Sequence, residues 1–485
     1  MTIPISKRVK ADVVLKISQG HEATKLELKA IPTGERGERV KHRVHSDGHA
    51  VHRVPLEVLC EIFTYHAATY RPSEEDCRTI PRTLLSITHV CHRWREAAIN
   101  YSLLWTHVSL ASDEWAALTM KRSRKLPLVA FGDIPVDRFT AVDFSVPHLR
   151  VQRLEVGCSL KDGSTEGQDV IITLPREAAP NLQAMHVWAR PGVTGTIIGK
   201  PFDGTMPVLD YLKLERLSFD WAWVKSVSSL TRLVVQNTPR PPTLPKLLAA
   251  LRELQNLEIL VLESTLPRPQ NENVLDDSSD LPVILPRLKL LWIRDGMPSV
   301  NNIYQYFELR PKTAVNVYTR FDSGDDVPLT LLLTQLLARP FADGRPLYAH
   351  LETLVVDHWS PDQVSVRAGL HTVDVSEPHD TLRIPLGDAA RFPTSLHMEC
   401  EDLAALHAAL PKVMQTVGME LNTTGLAYKT ALVRTLYPEL FPGLHFLNHA
   451  SQSLTKLVLV SGAAGVFAPS FGPCIACART PTRGR

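Results

Sequence analysis

A chain of 485 residues is too long for one ordinary hydrophobic core, so it divides into several domains or forms one elongated array of repeats. Hydrophobic residues at 44% and charged residues at 21% match an average globular protein and exclude general disorder. A formal net charge of +2 excludes a chain that works mainly by coating nucleic acid or an acidic membrane.

Residues 1–50 hold ten Lys or Arg against six Asp or Glu, with four histidines, and read as a flexible basic arm. Two alternating runs in it, "VVLKIS" and "KLELKA", can pair as a hairpin, although an isolated pair is marginal without a sheet to join. The start "MTIPISKRVK" lacks the apolar core of a secretory signal. The longest apolar run, "LTLLLTQLLA" at 329–338, is too short to cross a bilayer. The seven cysteines are odd in number and scattered, as expected of reduced thiols inside a cell. The expectation is a soluble protein of the cytoplasm or nucleus, with no membrane and no nucleic acid among its partners.

Short amphipathic helices are expected over 51–110. In "VPLEVLCEIF" a helix opened by Pro55 places Leu56, Leu59, Cys60 and Phe63 on one apolar face, with Val58 and Ile62 as a second row. After the polar insert "RPSEEDCRTIPR", a second helix is expected to carry Leu84, Ile87, Cys91, Trp94 and Ala98 as one buried stripe, flanked by Val90 and Ala97. Leu104 and Trp105 end this helical part. A connecting helix follows at 111–127, opened by "SDEW" and stopped by Pro127. Its "KRSRK" at 121–125 suits a nucleic-acid patch or a solvated helix end facing the negative dipole, and the latter reading is preferred.

From 128 to 465 a phrase recurs. Leu182-x-x-Met185-x-Val187, Leu209-x-x-Leu212-x-Leu214, Leu230-x-x-Leu233-x-Val235, Leu257-x-x-Leu260-x-Leu262 and Leu288-x-x-Leu291-x-Ile293 share one spacing, and Leu351 and Leu454 open two more copies. The long gap before Leu351 leaves room for a degenerate unit near "AVNVYTR", and between 360 and 450 the phrase is weak. This pattern resembles leucine-rich repeats, in which each short strand needs its neighbours to bury its inward side chains. The resemblance departs at the position three after the last apolar residue. There Arg190, Leu217, Thr238, Thr265 and Gly296 stand where Asn or Cys is usual, which implies an irregular solenoid.

With both halves in view, Pro55-Leu56-x-Val58-Leu59-x-x-Ile62-Phe63, then Val90-Cys91-x-x-Trp94-Arg95, then Leu104-Trp105 is similar to the F-box, the short helical module at the head of ubiquitin-ligase substrate receptors. The whole also resembles F-box proteins of mushroom-forming fungi. Val54 stands where Leu usually precedes the Pro, and the insert at 64–83 is longer than in compact members. The resemblance implies an α/β chain with a small all-helical F-box module followed by an irregular leucine-rich-repeat solenoid. It also implies docking on a Skp-family adaptor bound to a cullin scaffold, with the repeats holding an unknown target protein. Pro55, Leu56, Leu59, Ile62, Phe63, Val90 and Trp94 are then the candidates for adaptor contact or its immediate support, while Leu104 and Trp105 pack the module onto the repeats. A core role in a helical cap is the competing reading for each of them.

No P-loop, G-x-G-x-x-G, G-x-S-x-G or H-E-x-x-H is present, so no catalytic residue, cofactor or metal is assigned and a non-catalytic receptor is expected. "CIAC" at Cys474 to Cys477, with His445 and His449 upstream, lies in a 466–485 tail expected to be disordered and reads as incidental thiols. The alternatives are a scaffold that joins no ligase and an enzyme with an unrecognised pocket. Trp188, Trp221, Trp223, Trp292 and Trp359 are candidate target anchors only as aromatics.

Overall fold

The computed structural model describes residues 54–69, 82–110, 112–135, 148–159, 168–268, 282–310, 313–321, 353–360, 363–369, 395–400, 430–435 and 456–460. The N-terminal arm, the polar insert beyond Thr69, the loop "PQNENVLDDSSD", the apolar run at 329–338 and the tail with Cys474 and Cys477 lie outside these residues.

Three helices open the described chain: α1 (Leu56–Thr69), α2 (Arg82–His89) and α3 (His92–Asn100). Helix α1 runs six residues past Phe63, into what the sequence suggests is insert. The single second helix expected over 84–98 is two helices. Cys91 is extended at φ −159° and ψ 172°, which ends the first ladder and starts the next with the Arg95 N–H on the Cys91 carbonyl at 3.0 Å. The break frees the Thr88 carbonyl, and Arg95 Nε donates to it at 2.8 Å, tying the two helices across the kink.

A 3-10 turn over Ser102–Trp105 leads to β1 (His107–Ser109), and α4 (Asp113–Arg122) follows. Ser112 caps α4, its Oγ accepting from the Trp115 N–H; Asp113 and Glu114 occupy the first turn and Lys121 and Arg122 the last, matching the helix dipole. Arg122 lies over the Trp105 ring at 4.3 Å to its centroid, so this cation of "KRSRK" packs on the fold rather than standing free at a solvated helix end.

The rest is dominated by a 14-stranded sheet. Its strands are β1, β2 (Leu128–Pro135), β3 (Val151–Ser159), β5 (Ala184–Ala189), β7 (Tyr211–Glu215), β9 (Arg232–Gln236), β10 (Ile259–Glu263), β12 (Leu290–Gly296) and β14 (Ala314–Phe321) in unbroken order, every neighbour parallel. Strands β4 (Gln168–Ile172), β6 (Val193–Ile197) and β8 (Leu217–Ser218) form a second parallel sheet, and β11 (Val283–Ile284) pairs with β13 (Phe307–Glu308). With α5 (Trp221–Val224), α6 (Leu244–Glu253) and α7 (Met297–Tyr304) they supply the other wall of the core.

Each copy of the repeated phrase becomes a strand that starts two residues after its first leucine. In register, Met185, Leu212, Leu233, Leu260 and Leu291 form one row, and Val187, Leu214, Val235, Leu262 and Ile293 the next. Both rows are buried in one continuous core running from Val108 to Val317. Among the described residues, the first residue of the five phrases from Leu182 to Leu288 closes a short turn, as in Leu209 N–H to the Met206 carbonyl and Leu257 N–H to the Leu254 carbonyl. Strand β14 occupies "AVNVYTR", where the gap leaves room for a unit. Strand β3 is a copy the leucine pattern misses: Val151-x-x-Leu154-x-Val156 keeps the spacing with Val in the first place, and Leu154 and Val156 pair with Met185 and Val187.

Regular order ends after β14. Its next neighbour is β17 (Ser395–Cys400), and β15 (Thr353–Ser360) and β16 (Gln363–Gly369) insert as an antiparallel hairpin before β18 (Thr430–Thr435) and β19 (Lys456–Val460). The Leu351 copy therefore does not stack on the unit before it in sequence, which corrects the expectation of a repeat run continuing through it.

Candidate functional site

Within the helical module Leu59 and Phe63 are 0% exposed, and the Phe63 ring meets Trp94 edge-on at 5.2 Å between centroids. Leu84, Ile87, Ala97 and Ala98 complete this small core. Burying Leu59, Phe63 and Trp94 stabilises the module by roughly 1.5–3 kcal/mol per side chain. These three of the seven sequence-derived candidates therefore lie inside, where they can only support a contact made by others.

The remaining candidates face outward to different degrees. Pro55 is exposed ahead of α1, Leu56 is 50% exposed and Val90, at the kink between α2 and α3, is 53% exposed; Ile62 is half-buried. The second apolar row singled out in the sequence includes Val58, which is exposed, although it is not among the adaptor-contact candidates; sequence reasoning missed Tyr65, Leu85, Ile99 and Leu103 as exposed apolar side chains. Leu85 and Ile99 flank buried positions on their helices, so periodicity assigns them to the edge of a stripe and leaves their exposure open. Of the twelve exposed large hydrophobic residues among the described residues, seven fall in this short module. Single exposed apolar residues are ordinary; their concentration on the three helices and 3-10 turn of one short module makes it the candidate interaction surface.

On the side of the sheet away from its main core, Tyr211, Val234, Ile259, Val261, Leu290 and Trp292 form a second buried apolar cluster, and the buried Phe131 and Trp188 form another. Gly157 makes the latter possible: lacking a side chain, it lets the Trp188 indole lie across β3 toward Phe131 of β2. Ion pairs border the apolar centre. Glu215 holds Lys213 at 3.1 Å and Arg216 at 2.6 Å, Glu263 holds Arg294 at 3.0 Å and Gln236 at 2.6 Å, and Lys289 meets Glu258 at 2.7 Å. Of the tryptophan candidates, Trp188 and Trp292 lie on this face, whereas Trp221 and Trp223 lie in the core; Trp359 falls in β15, where side chains are not described.

Three residues past the last apolar position of two neighbouring phrases stands a threonine pair. Thr238 and Thr265 are buried with their hydroxyls 3.1 Å apart, and Thr265 Oγ1 also donates toward the Glu263 carbonyl at 2.9 Å. The Asp295 carboxylate accepts from the N–H groups of Thr265, Leu266 and Gly296, each at 2.8 Å. Arg216, Asn237 and Ser264 each follow their strand in the left-handed region at φ 55°, 55° and 48°, so three successive units share one turn. Each turn's N–H continues the ladder, to the carbonyls of Gln236, Glu263 and Arg294 respectively.

The described residues hold little that reads as chemistry. No group of three or more His, Cys, Asp or Glu converges as a metal site among them, and none of their helices is long and apolar enough to cross a membrane. Cys60, Cys91 and Cys158 are free thiols, and burial, then the nearby Asp133, pushes the Cys158 thiol up to about 12, where it is protonated and unreactive.

Against known families, residues 51–111 match the model described as F-box-like. No curated protein matches the chain. The matched span runs through all three helices, the 3-10 turn and β1, so the module that concentrates the exposed apolar residues is an F-box-like domain at the head of a mixed α/β chain.

Proposed function

We propose that the chain is the substrate-recognition subunit of a cullin-RING ubiquitin ligase of the SCF type. The observation that carries this reading is the coincidence of the F-box-like match with the exposed apolar side chains of the same helices. Leu56 and Val90 are the central adaptor contacts, with Pro55 and Ile62 beside them, and Leu59, Phe63 and Trp94 hold the helices that present them. A Skp-family adaptor packs against such apolar helical anchors and links them to a cullin scaffold.

The sheet, read as an irregular leucine-rich-repeat solenoid with a Thr238–Thr265 rung in place of the usual Asn, holds the target protein. Shared spacing, parallel register and the repeated left-handed turn support that reading. The receptor contributes proximity: a bound target lysine sees the activated thioester at high effective concentration, and no acid, base or metal of the receptor takes part. Work of this kind places the protein in the cytoplasm or nucleus, and the fungal resemblance belongs to the same proposal.

The test is calorimetric titration of a purified Skp-family adaptor into the full chain and into Leu56→Glu with Val90→Glu. Both positions are exposed, so the variant keeps its fold. Binding by the parent and a loss of about 100-fold or more in the variant is expected, since two central anchors at about 2 kcal/mol each are removed. A folded parent that binds no adaptor refutes the ligase role and leaves an interaction scaffold with a helical cap.

A further inference from the structure

The helical module and the sheet fall in one compact unit from Leu56 onward. Almost no free chain joins them. Helix α3 ends at Asn100, the 3-10 turn spans Ser102–Trp105 and β1 starts at His107, leaving only Tyr101 and Thr106 between elements. Both are fastened: the Tyr101 N–H reaches the Ala97 carbonyl at 3.1 Å, and the Thr106 N–H and Oγ1 reach the Leu103 carbonyl at 3.4 and 2.9 Å. The sheet ladder begins at Thr106 itself, whose carbonyl accepts from the Val129 N–H at 2.9 Å.

Trp105 stands at the centre of this joint, 1% exposed. Its indole Nε1–H donates to the Ala98 carbonyl of α3 at 2.7 Å, while its ring lies under the Arg122 guanidinium of α4 at 4.3 Å and 6.0 Å from the Trp115 ring. One side chain thus grips the last helix of the module by a buried hydrogen bond and the first helix of the sheet part by a cation–π stack. Helices α1 and α4 both pack against the turn that carries it.

We infer that Trp105 is a positioning residue that locks the angle between the helical module and the sheet, so that the adaptor-facing helices and the sheet face move as one body. A receptor with this lock presents its target at a fixed place relative to the adaptor; that consequence rests on the proposed ligase role, whereas the lock itself does not.

The experiment measures the distance distribution between spin labels carried by non-natural residues at Glu61 and Glu253, both exposed, in the full chain without adaptor. The parent gives one narrow distribution. Trp105→Ala and Arg122→Ala broaden it by about twofold or more while the unfolding midpoint of the sheet is kept, and Trp105→Phe, which keeps an aromatic face for Arg122 but loses the donor to Ala98, broadens it by less than Trp105→Ala. A parent-like width in folded Trp105→Ala, or in Arg122→Ala should the alanine variant at 105 fail to fold, overturns the inference. So does a Phe variant as broad as the Ala variant. The readout needs no adaptor, so failure of the ligase role and failure of the lock are separate results.

Discussion

Replacing Gly157 by alanine sets two effects of opposite sign against each other. The backbone of Gly157 is ordinary extended strand, where a Gly to Ala change stabilises by about 0.4–1 kcal/mol through the unfolded chain. A Cβ built there, however, would meet Cε2 and Nε1 of Trp188 at 2.5 Å and Cζ2 at 2.8 Å. Those atoms belong to a rigid indole wedged between Phe131 and the His186 ring, 4.5 Å away, and cannot swing aside without uncovering both. Overpacking of this kind costs about 1–3 kcal/mol, so the clash wins and Gly157→Ala should destabilise by about 0.5–2 kcal/mol net. In a Trp188→Ala background the obstacle is gone and the same change should stabilise by about 0.4–1 kcal/mol, giving a coupling of at least about 1 kcal/mol. Urea unfolding of the four variants, followed by near-ultraviolet circular dichroism, measures the cycle. Equal effects of the glycine change in both backgrounds would refute the claim that the bare strand at 157 exists to seat the indole.

Leu59→Ala should lower the stability of the helical module by about 2–5 kcal/mol, whereas Leu56→Ala should leave stability within about 0.5 kcal/mol, because the first side chain is wholly inside and the second half outside; hydrogen exchange of α1 distinguishes them. Thr265→Val strands the buried Thr238 hydroxyl and should cost about 1–3 kcal/mol, and adding Thr238→Val should recover part of that loss, read by denaturant unfolding. His186 has its pKa held well below the usual histidine range, first by burial and then by the Lys213 and Arg153 charges, and its Nε2 is buried without a partner. The folded state thus binds this proton less readily than the unfolded chain. The stabilisation is present above a pH of about 6.5 and is lost as pH falls below it. A His186→Phe variant should show a shallower loss of stability between pH 7 and 5, and an unchanged slope would remove His186 as the cause.

Much of the architecture was legible because it depends on local spacing. A strand buried in a parallel sheet needs apolar residues two apart, and the phrase shows them at Leu212 and Leu214 or Leu260 and Leu262, so strand positions follow from the pattern alone. Where valine replaces the leading leucine, at Val151, the same physics operates but the pattern fails. The helical module was equally legible as a set of anchors, since Pro55, Trp94 and Trp105 each leave a mark in sequence. Which anchors face outward was not, because a helix with apolar residues on two sides gives no sign of the side its neighbours will cover. Leu56 and Leu59 share one face by spacing, yet only Leu59 is enclosed.

By itself, then, the sequence determined the order of parts: helices, a connecting helix, and a run of strands that must stack because none can bury its own face. Tertiary structure alone decided the kink at Cys91, the seating of Trp188 on Gly157, the threonine rung beside Asp295, the insertion of β15 and β16 after β17, and the grip of Trp105 on two helices at once. Apart from the local break at Cys91, each of these is a contact between separate elements of the fold, set by how those elements pack, for which one-dimensional periodicity carries no term.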